Sequence, residues 1–151
     1  MRVCIGGTFN RFHKGHRLLV DTAIKYASKD GFLFIGISCG KLVETKSFIE
    51  PYNIRKKSVL CYIIERCIEI PTIVLEPIET IEGPTLTEDF DLIVVSEETE
   101  KVAIRINEKR KQKGLRSMDI LTIPLVLSDD KEKISSTRII NKEIDKEGHL
   151  L

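Results

Sequence analysis

Val3-Cys4-Ile5-Gly6-Gly7-Thr8-Phe9-Asn10-Arg11-Phe12-His13-Lys14-Gly15-His16 is the stretch from which the rest of the chain can be read. A short apolar run ends in two glycines, a hydroxyl and two histidines three residues apart. An apolar-periodic segment follows. That order reads as a strand, a tight turn and the start of a helix, the junction at which open α/β sheets bind ligands. A helix start offers unpaired N–H groups and a partial positive charge to an anion. His13 and His16, at i and i+3, share one face there. The stretch reads as a phosphate site.

Outward from it, strand and helix alternate, which predicts a parallel sheet covered by helices. The first strand is expected over 3–6 and its helix over about 15–28, with Leu19, Val20, Ala23, Ile24 and Ala27 buried. The second strand is expected over 32–38, continuously apolar as for a strand covered on both faces. A polar loop over 39–50 carries Lys41 and Lys46. Pro51 suits the first turn of a second helix, expected to run to about 69 with Leu60, Cys61, Ile64, Cys67 and Ile68 inward. A third strand over 72–75 leads into an irregular, proline-containing stretch over 76–88.

The fourth strand is expected over 91–96. Ser96-Glu97-Glu98-Thr99 then starts a third helix with Val102, Ala103 and Ile106 inward, stopped by Gly114. The fifth strand, 120–127, contains Pro124 and so reads as an edge strand or a bulged one. A charged loop over 129–133, read as mobile, precedes a last helix capped by Ser135 and running to about 146. The tail from about residue 147 is expected to fray. There is no repeat, low-complexity tract or linker, so the expectation is one domain over 1–151.

Composition narrows the function classes. The 151 residues are 42% hydrophobic and 31% charged, with a net charge of +1. That balance and an aromatic content of 6% argue against a nucleic-acid binder. The basic clusters at 55–57 and 109–111 fall on expected helices and read as solvated faces. No apolar run reaches the ~20 residues of a membrane span, and the N-terminus lacks a signal-peptide pattern. Cys4, Cys39, Cys61 and Cys67 form no C-x-x-C pair, and Cys4, Cys61 and Cys67 read as core fillers. A cytoplasmic protein with reduced cysteines is the simplest expectation.

Four places follow the C-terminal ends of strands and so point at one sheet edge. They are 6–16, the loop with Lys41 and Lys46, 96–99, and Lys133-Ile134-Ser135-Ser136-Thr137-Arg138. Together they supply glycines, hydroxyls, imidazoles, lysines and an arginine, the inventory for several phosphates. Lys133 is close enough to the last motif to reach one. G-x-G-x-x-G and the Walker A pattern are both absent. Two histidines are too few for a zinc site, so no metal ligand is assigned.

Thr8-Phe9-Asn10-Arg11-Phe12-His13-Lys14-Gly15-His16 resembles the T-F-D-x-x-H-x-G-H signature of the nucleotidyltransferase superfamily. Ile134-Ser135-Ser136-Thr137-Arg138-Ile139 resembles its second motif, about 120 residues later and in the expected order. Phe48-Ile49-Glu50-Pro51-Tyr52-Asn53-Ile54-Arg55, Asp91–Thr99 and Ile106-Asn107-Glu108-Lys109-Arg110 are similar to runs of the archaeal and eukaryotic phosphopantetheine adenylyltransferases. The resemblance covers nearly the whole chain. It implies a Rossmann-like nucleotidyltransferase fold, a five-stranded, mostly parallel α/β sheet with helices on both faces. It also implies transfer of AMP from ATP to 4′-phosphopantetheine, giving dephospho-coenzyme A and pyrophosphate. Mg²⁺ would be carried by the ATP, with no dedicated protein ligands.

The resemblance also assigns roles. His13, His16 and Lys46 would be catalytic. Gly7, Thr8, Phe9, Gly15, Ser96, Glu97, Thr99, Ile134, Ser135, Ser136 and Thr137 would join the two histidines around ATP. Thr8, Lys41 or Lys46, Tyr52 and Arg55 would hold the acceptor. These roles suit the chemistry. A phosphate monoester, with a second pKa near ~6, is already a nucleophilic dianion at neutral pH and needs no general base. Alignment of two anions and stabilisation of the leaving pyrophosphate remain to be supplied. Asn10 stands where the signature has aspartate, and Phe12 where it often has leucine. The phosphate motifs do not choose among acceptors, so FMN, a nicotinamide mononucleotide or a phospho-alcohol stay open, as does a non-catalytic nucleotide-binding module. Oligomeric state is not legible.

Overall fold

The structure is a computed structural model that describes residues 1–66 and 69–151. The described residues form five strands: β1 (Arg2–Gly7), β2 (Phe32–Ser38), β3 (Thr72–Ile78), β4 (Leu92–Ser96) and β5 (Asp119–Ile123). They pair in the order β3-β2-β1-β4-β5, and every pairing is parallel. The sheet is therefore wholly parallel, a step beyond the expected mostly parallel one. Among the described residues four α-helices connect or follow the strands: α1 (Lys14–Ala27), α2 (Tyr52–Arg66), α3 (Glu100–Gln112) and α4 (Ser136–Ile140).

The alternation of side chains along each strand divides the core in two. Val3 and Ile5 of β1, Leu33, Ile35 and Ile37 of β2, and Leu92 and Val94 of β4 pack with Val20, Ala23 and Ala27 of α1 and Val59 and Ile63 of α2. Cys4, Phe34, Ile93 and Val95 face the other way, against Ala103 and Ile106 of α3 with Phe90 and Met118. Strands covered on both sides must be apolar throughout, which is why β1, β2 and β4 show no polar alternation. Strand order reverses between β1 and β4, so their carboxyl ends open a crevice at the switch point.

Several expectations are corrected. α2 turns Arg55, Val59 and Ile63 to the core, not Leu60, Cys61 and Ile64, which are exposed. Six consecutive apolar residues, Val59 to Ile64, allow the helical period to be laid down in more than one phase, and burial of Arg55 selects this one. Cys61 is thus no core filler; Cys67 and Ile68 lie outside the described residues. Glu76–Ile78 extends β3, because Pro77 is tolerated on an edge strand. β5 stops at Ile123, since Pro124 has no N–H to continue a ladder.

The last helix is only five residues long and does not run to 146. The tail beyond it is tied down and does not fray. Ile144 is buried and bridges Leu150, Lys14 N–H donates to Lys146 O at 2.9 Å, and Arg17 pairs with Glu147 at 2.6 Å. The loop over 129–133 is also organised, because Asp130 accepts from Arg138 and from Ser128. Among the described residues no helix is long and apolar enough to cross a membrane.

Candidate active site

The turn after β1 is backbone under constraint. Phe9 and Arg11 both adopt positive φ, 53° and 51°, a conformation that non-glycine residues hold only when their surroundings dictate it. Those surroundings come from loop 46–50 and from α2. Lys46 Nζ donates to Thr8 Oγ1 at 2.8 Å, and Asn10 Nδ2 donates to Phe48 O at 3.3 Å. Glu50 N–H returns a bond to Asn10 Oδ1 at 3.0 Å, while Arg11 N–H donates to Glu50 Oε1 at 2.7 Å. Beneath them Arg55 donates to the carbonyls of Thr8 (2.9 Å), Ser38 (2.6 Å) and Glu50 (2.8 Å).

α1 begins with a reciprocal cap built from the two histidines. Gly15 N–H donates to His13 Nδ1 at 3.1 Å, and His13 N–H donates to His16 Nδ1 at 3.2 Å. Gly15 carries no Cβ for a close reason: one would sit 2.9 Å from His13 Cε1. A nitrogen that accepts from N–H holds no proton, so both rings are neutral with the proton on Nε2. Burial favours the same state. It pushes His13 down to about 4, helped by the charges of Lys133 and Arg17, and holds His16 well below the ordinary imidazole value. The expected free N–H groups of the helix start are thus partly engaged: Lys14 N–H goes to Lys146 O and Gly15 N–H to His13. What the histidines offer the cleft is a pair of neutral N–H donors.

The second motif lies against the first. Ser136 Oγ donates to Asn10 O at 2.6 Å, joining segments 126 residues apart in sequence. Ser135 Oγ accepts from Arg138 N–H at 3.3 Å and caps α4. With α4 barely more than one turn, hydroxyls rather than a long helix dipole are what this side can present to an anion.

Two clefts meet here. The first, of about 320 Å³, is walled by Val94, Val95, Ile123, Pro124, Leu125 and Val126 and floored by Gly7, Thr8, Phe9, His13, Gly15 and His16. Lys46, Ser96, Thr99, Lys133, Ile134 and Ser136 also line it. The second, of about 540 Å³, is lined by Asn10, Phe48, Ile49, Thr137 and Ile140 among others, and shares Thr8, Lys46 and Ser136 with the first. An apolar slot ending in donors and an ammonium suits a base with a phosphate tail. Among the described residues no group of three His, Cys, Asp or Glu side chains is placed to hold a metal ion.

Most of the residues expected at the site gather around these clefts, but five do not line them. Lys41 lies on an exposed 3-10 turn, Glu97 is exposed, and Ser135 is a cap. Tyr52 stacks near Arg55, whose guanidinium is buried as a brace and lines neither cleft. Sequence reading missed the apolar wall and the clamping by Asn10 and Glu50. The wall had a signal, the strand ends after β4 and β5; the clamp had none, because it pairs loops 40 residues apart.

The cytidylyltransferase-like family matches residues 4–142. A phosphopantetheine adenylyltransferase of Methanothermobacter thermautotrophicus is 40% identical, with 99% of this chain and 88% of that protein covered. One from Archaeoglobus fulgidus is 36% identical with both chains fully covered. Among solved structures, a protein of unknown function from Archaeoglobus fulgidus superimposes with a TM-score of 0.72 at 35% identity, covering 82% of this chain and 89% of that one.

Proposed function

Since the chain belongs to the cytidylyltransferase-like family, we infer that it is a phosphopantetheine adenylyltransferase, moving AMP from ATP to 4′-phosphopantetheine in coenzyme A biosynthesis. The observation that carries this over a passive nucleotide-binding role is the meeting of two clefts at Thr8, Lys46 and Ser136. A binding module needs one cleft; a transfer between two phosphates needs two that touch.

In the reaction an oxygen of the acceptor's phosphate forms a bond to the α-phosphorus of ATP, the bond from that phosphorus to the bridging oxygen breaks, and pyrophosphate leaves. The acceptor is a dianion, so no proton has to be removed. The protein's part is alignment and stabilisation of charge that moves onto the leaving group. Lys46, held by Thr8, would draw the two phosphates together at the junction. The Nε2–H groups of His13 and His16 would donate to the ATP phosphates, with Ser136 and Thr137 on the opposite side. Being neutral, the imidazoles avoid the cost of an unpaired buried charge before substrate arrives. Magnesium would enter with the nucleotide as part of the substrate and would offset charge on its phosphates.

A pyrophosphate-release assay tests the assignment across 4′-phosphopantetheine, FMN, nicotinamide mononucleotide and a phospho-alcohol. Turnover with the first alone is expected. Activity with FMN but not phosphopantetheine overturns the acceptor, and ATP binding without turnover of any acceptor overturns catalysis.

A further inference from the structure

Glu98 and Lys133 both line the first cleft and come from different segments of the chain. Glu98 belongs to the turn between β4 and α3, and Lys133 to the segment between β5 and α4, directly before Ile134. Both line the cleft, and Lys133 Nζ lies 2.5 Å from Glu98 Oε1. Glu98 is the single carboxylate among the described residues lining it. A carboxylate in a cleft otherwise furnished with lysines, hydroxyls and imidazole N–H groups opposes any anion that enters. It is tolerated because it neutralises an ammonium.

We propose that Glu98 is a stand-in for phosphate, holding Lys133 until the nucleotide's own phosphates displace it. The inference rests on the reading of this cleft as an ATP site. The strength of the pair fits the role. Both side chains are about half exposed, at 40% and 52%, and an ion pair so placed is held weakly. A triphosphate brings several charges and charge-assisted hydrogen bonds to the same ammonium, so exchange favours the nucleotide. A ligand with one phosphate gives Lys133 much less in return for leaving Glu98. The pair therefore lowers affinity for a triphosphate, which displaces Glu98, more than for a monophosphate, which leaves the pair in place. Lys133 already acts on the site electrostatically, since its charge is felt by His13.

Equilibrium binding of a non-hydrolysable methylene analogue of ATP, and of AMP, tests this on wild type, Glu98→Gln, Lys133→Met and the double variant. Glu98→Gln is expected to tighten analogue binding about two- to fivefold and AMP binding less. Lys133→Met is expected to weaken the analogue about tenfold and to shrink the gain from Glu98→Gln. Unchanged or weaker analogue binding by Glu98→Gln overturns the latch while leaving the nucleotide site intact. So does a gain that persists undiminished without Lys133. Failure of wild type to bind the analogue at all overturns the nucleotide reading and the latch with it.

Discussion

The imidazoles of His13 and His16 stack with centroids 3.7 Å apart, each giving its Nδ1 lone pair to a backbone N–H of the turn they share. Two cations could not stack so closely in a buried place. The arrangement separates a structural half, the Nδ1 acceptors that cap α1, from the half proposed for the chemistry, the Nε2–H donors.

The two halves can be separated by His13→Asn. Asparagine is among the best helix caps, and its Oδ1 can accept from Gly15 N–H in place of Nδ1. Denaturant unfolding at pH 8 should change by less than about 1 kcal/mol. Loss of the Nε2–H donor should lower kcat about 100-fold, equivalent to about 3 kcal/mol. A stable variant with full activity would remove His13 from the chemistry.

Acid should destabilise the fold through the same pair. The folded-state value of His13 is depressed from 6.5 to about 4, so the unfolded chain binds protons first as pH falls. The neutral imidazole's contribution is complete above about pH 6.5 and is lost as pH drops toward 4, on the order of 3 kcal/mol from His13. His16 moves in the same direction. Melting temperature measured across this window should fall, and His13→Asn should show a shallower slope.

Asn10→Asp restores the residue usual in the signature, yet here it should be harmful. Asn10 donates to Phe48 O while accepting from Glu50 N–H, and it is 3% exposed. A carboxylate keeps the second bond and sets a negative charge against the Phe48 carbonyl. A loss of about 1–3 kcal/mol in urea unfolding is expected. Because Asn10 clamps the loop carrying Lys46, KM for the acceptor should rise more than KM for ATP.

Arg55→Lys should behave as a severe change. The guanidinium fork reaches the carbonyls of Thr8, Ser38 and Glu50 together, at 2% residue exposure. An ammonium lacks that planar geometry. Leaving buried carbonyls unpaired should cost about 2–3 kcal/mol, read as a lower denaturation midpoint. kcat should fall too, since the Thr8 turn loses its brace.

What could be read from the residues is whatever local chemistry dictates. Continuous apolar runs bounded by turn residues announced β1, β2 and β4. Gly114, at φ +78°, was visible as the stop of α3, since only glycine takes that conformation freely. The histidine and serine motifs raised the expectation of a phosphate site, because they carry hydrogen-bonding groups within a few residues of each other. Pairings between distant segments were not legible. The inward face of α2 was hidden because Val59–Ile64 is apolar all round, and only the carbonyls of Thr8, Ser38 and Glu50 explain a buried arginine there. Asn10 stood out only as a departure from the signature, and Glu50 and Glu98 had no assigned role, until folding set Phe48, Arg11 and Lys133 beside them. The protonation of the histidines was likewise a tertiary outcome. Spacing puts two imidazoles on one helix face, but burial and the cap geometry decide that they are neutral.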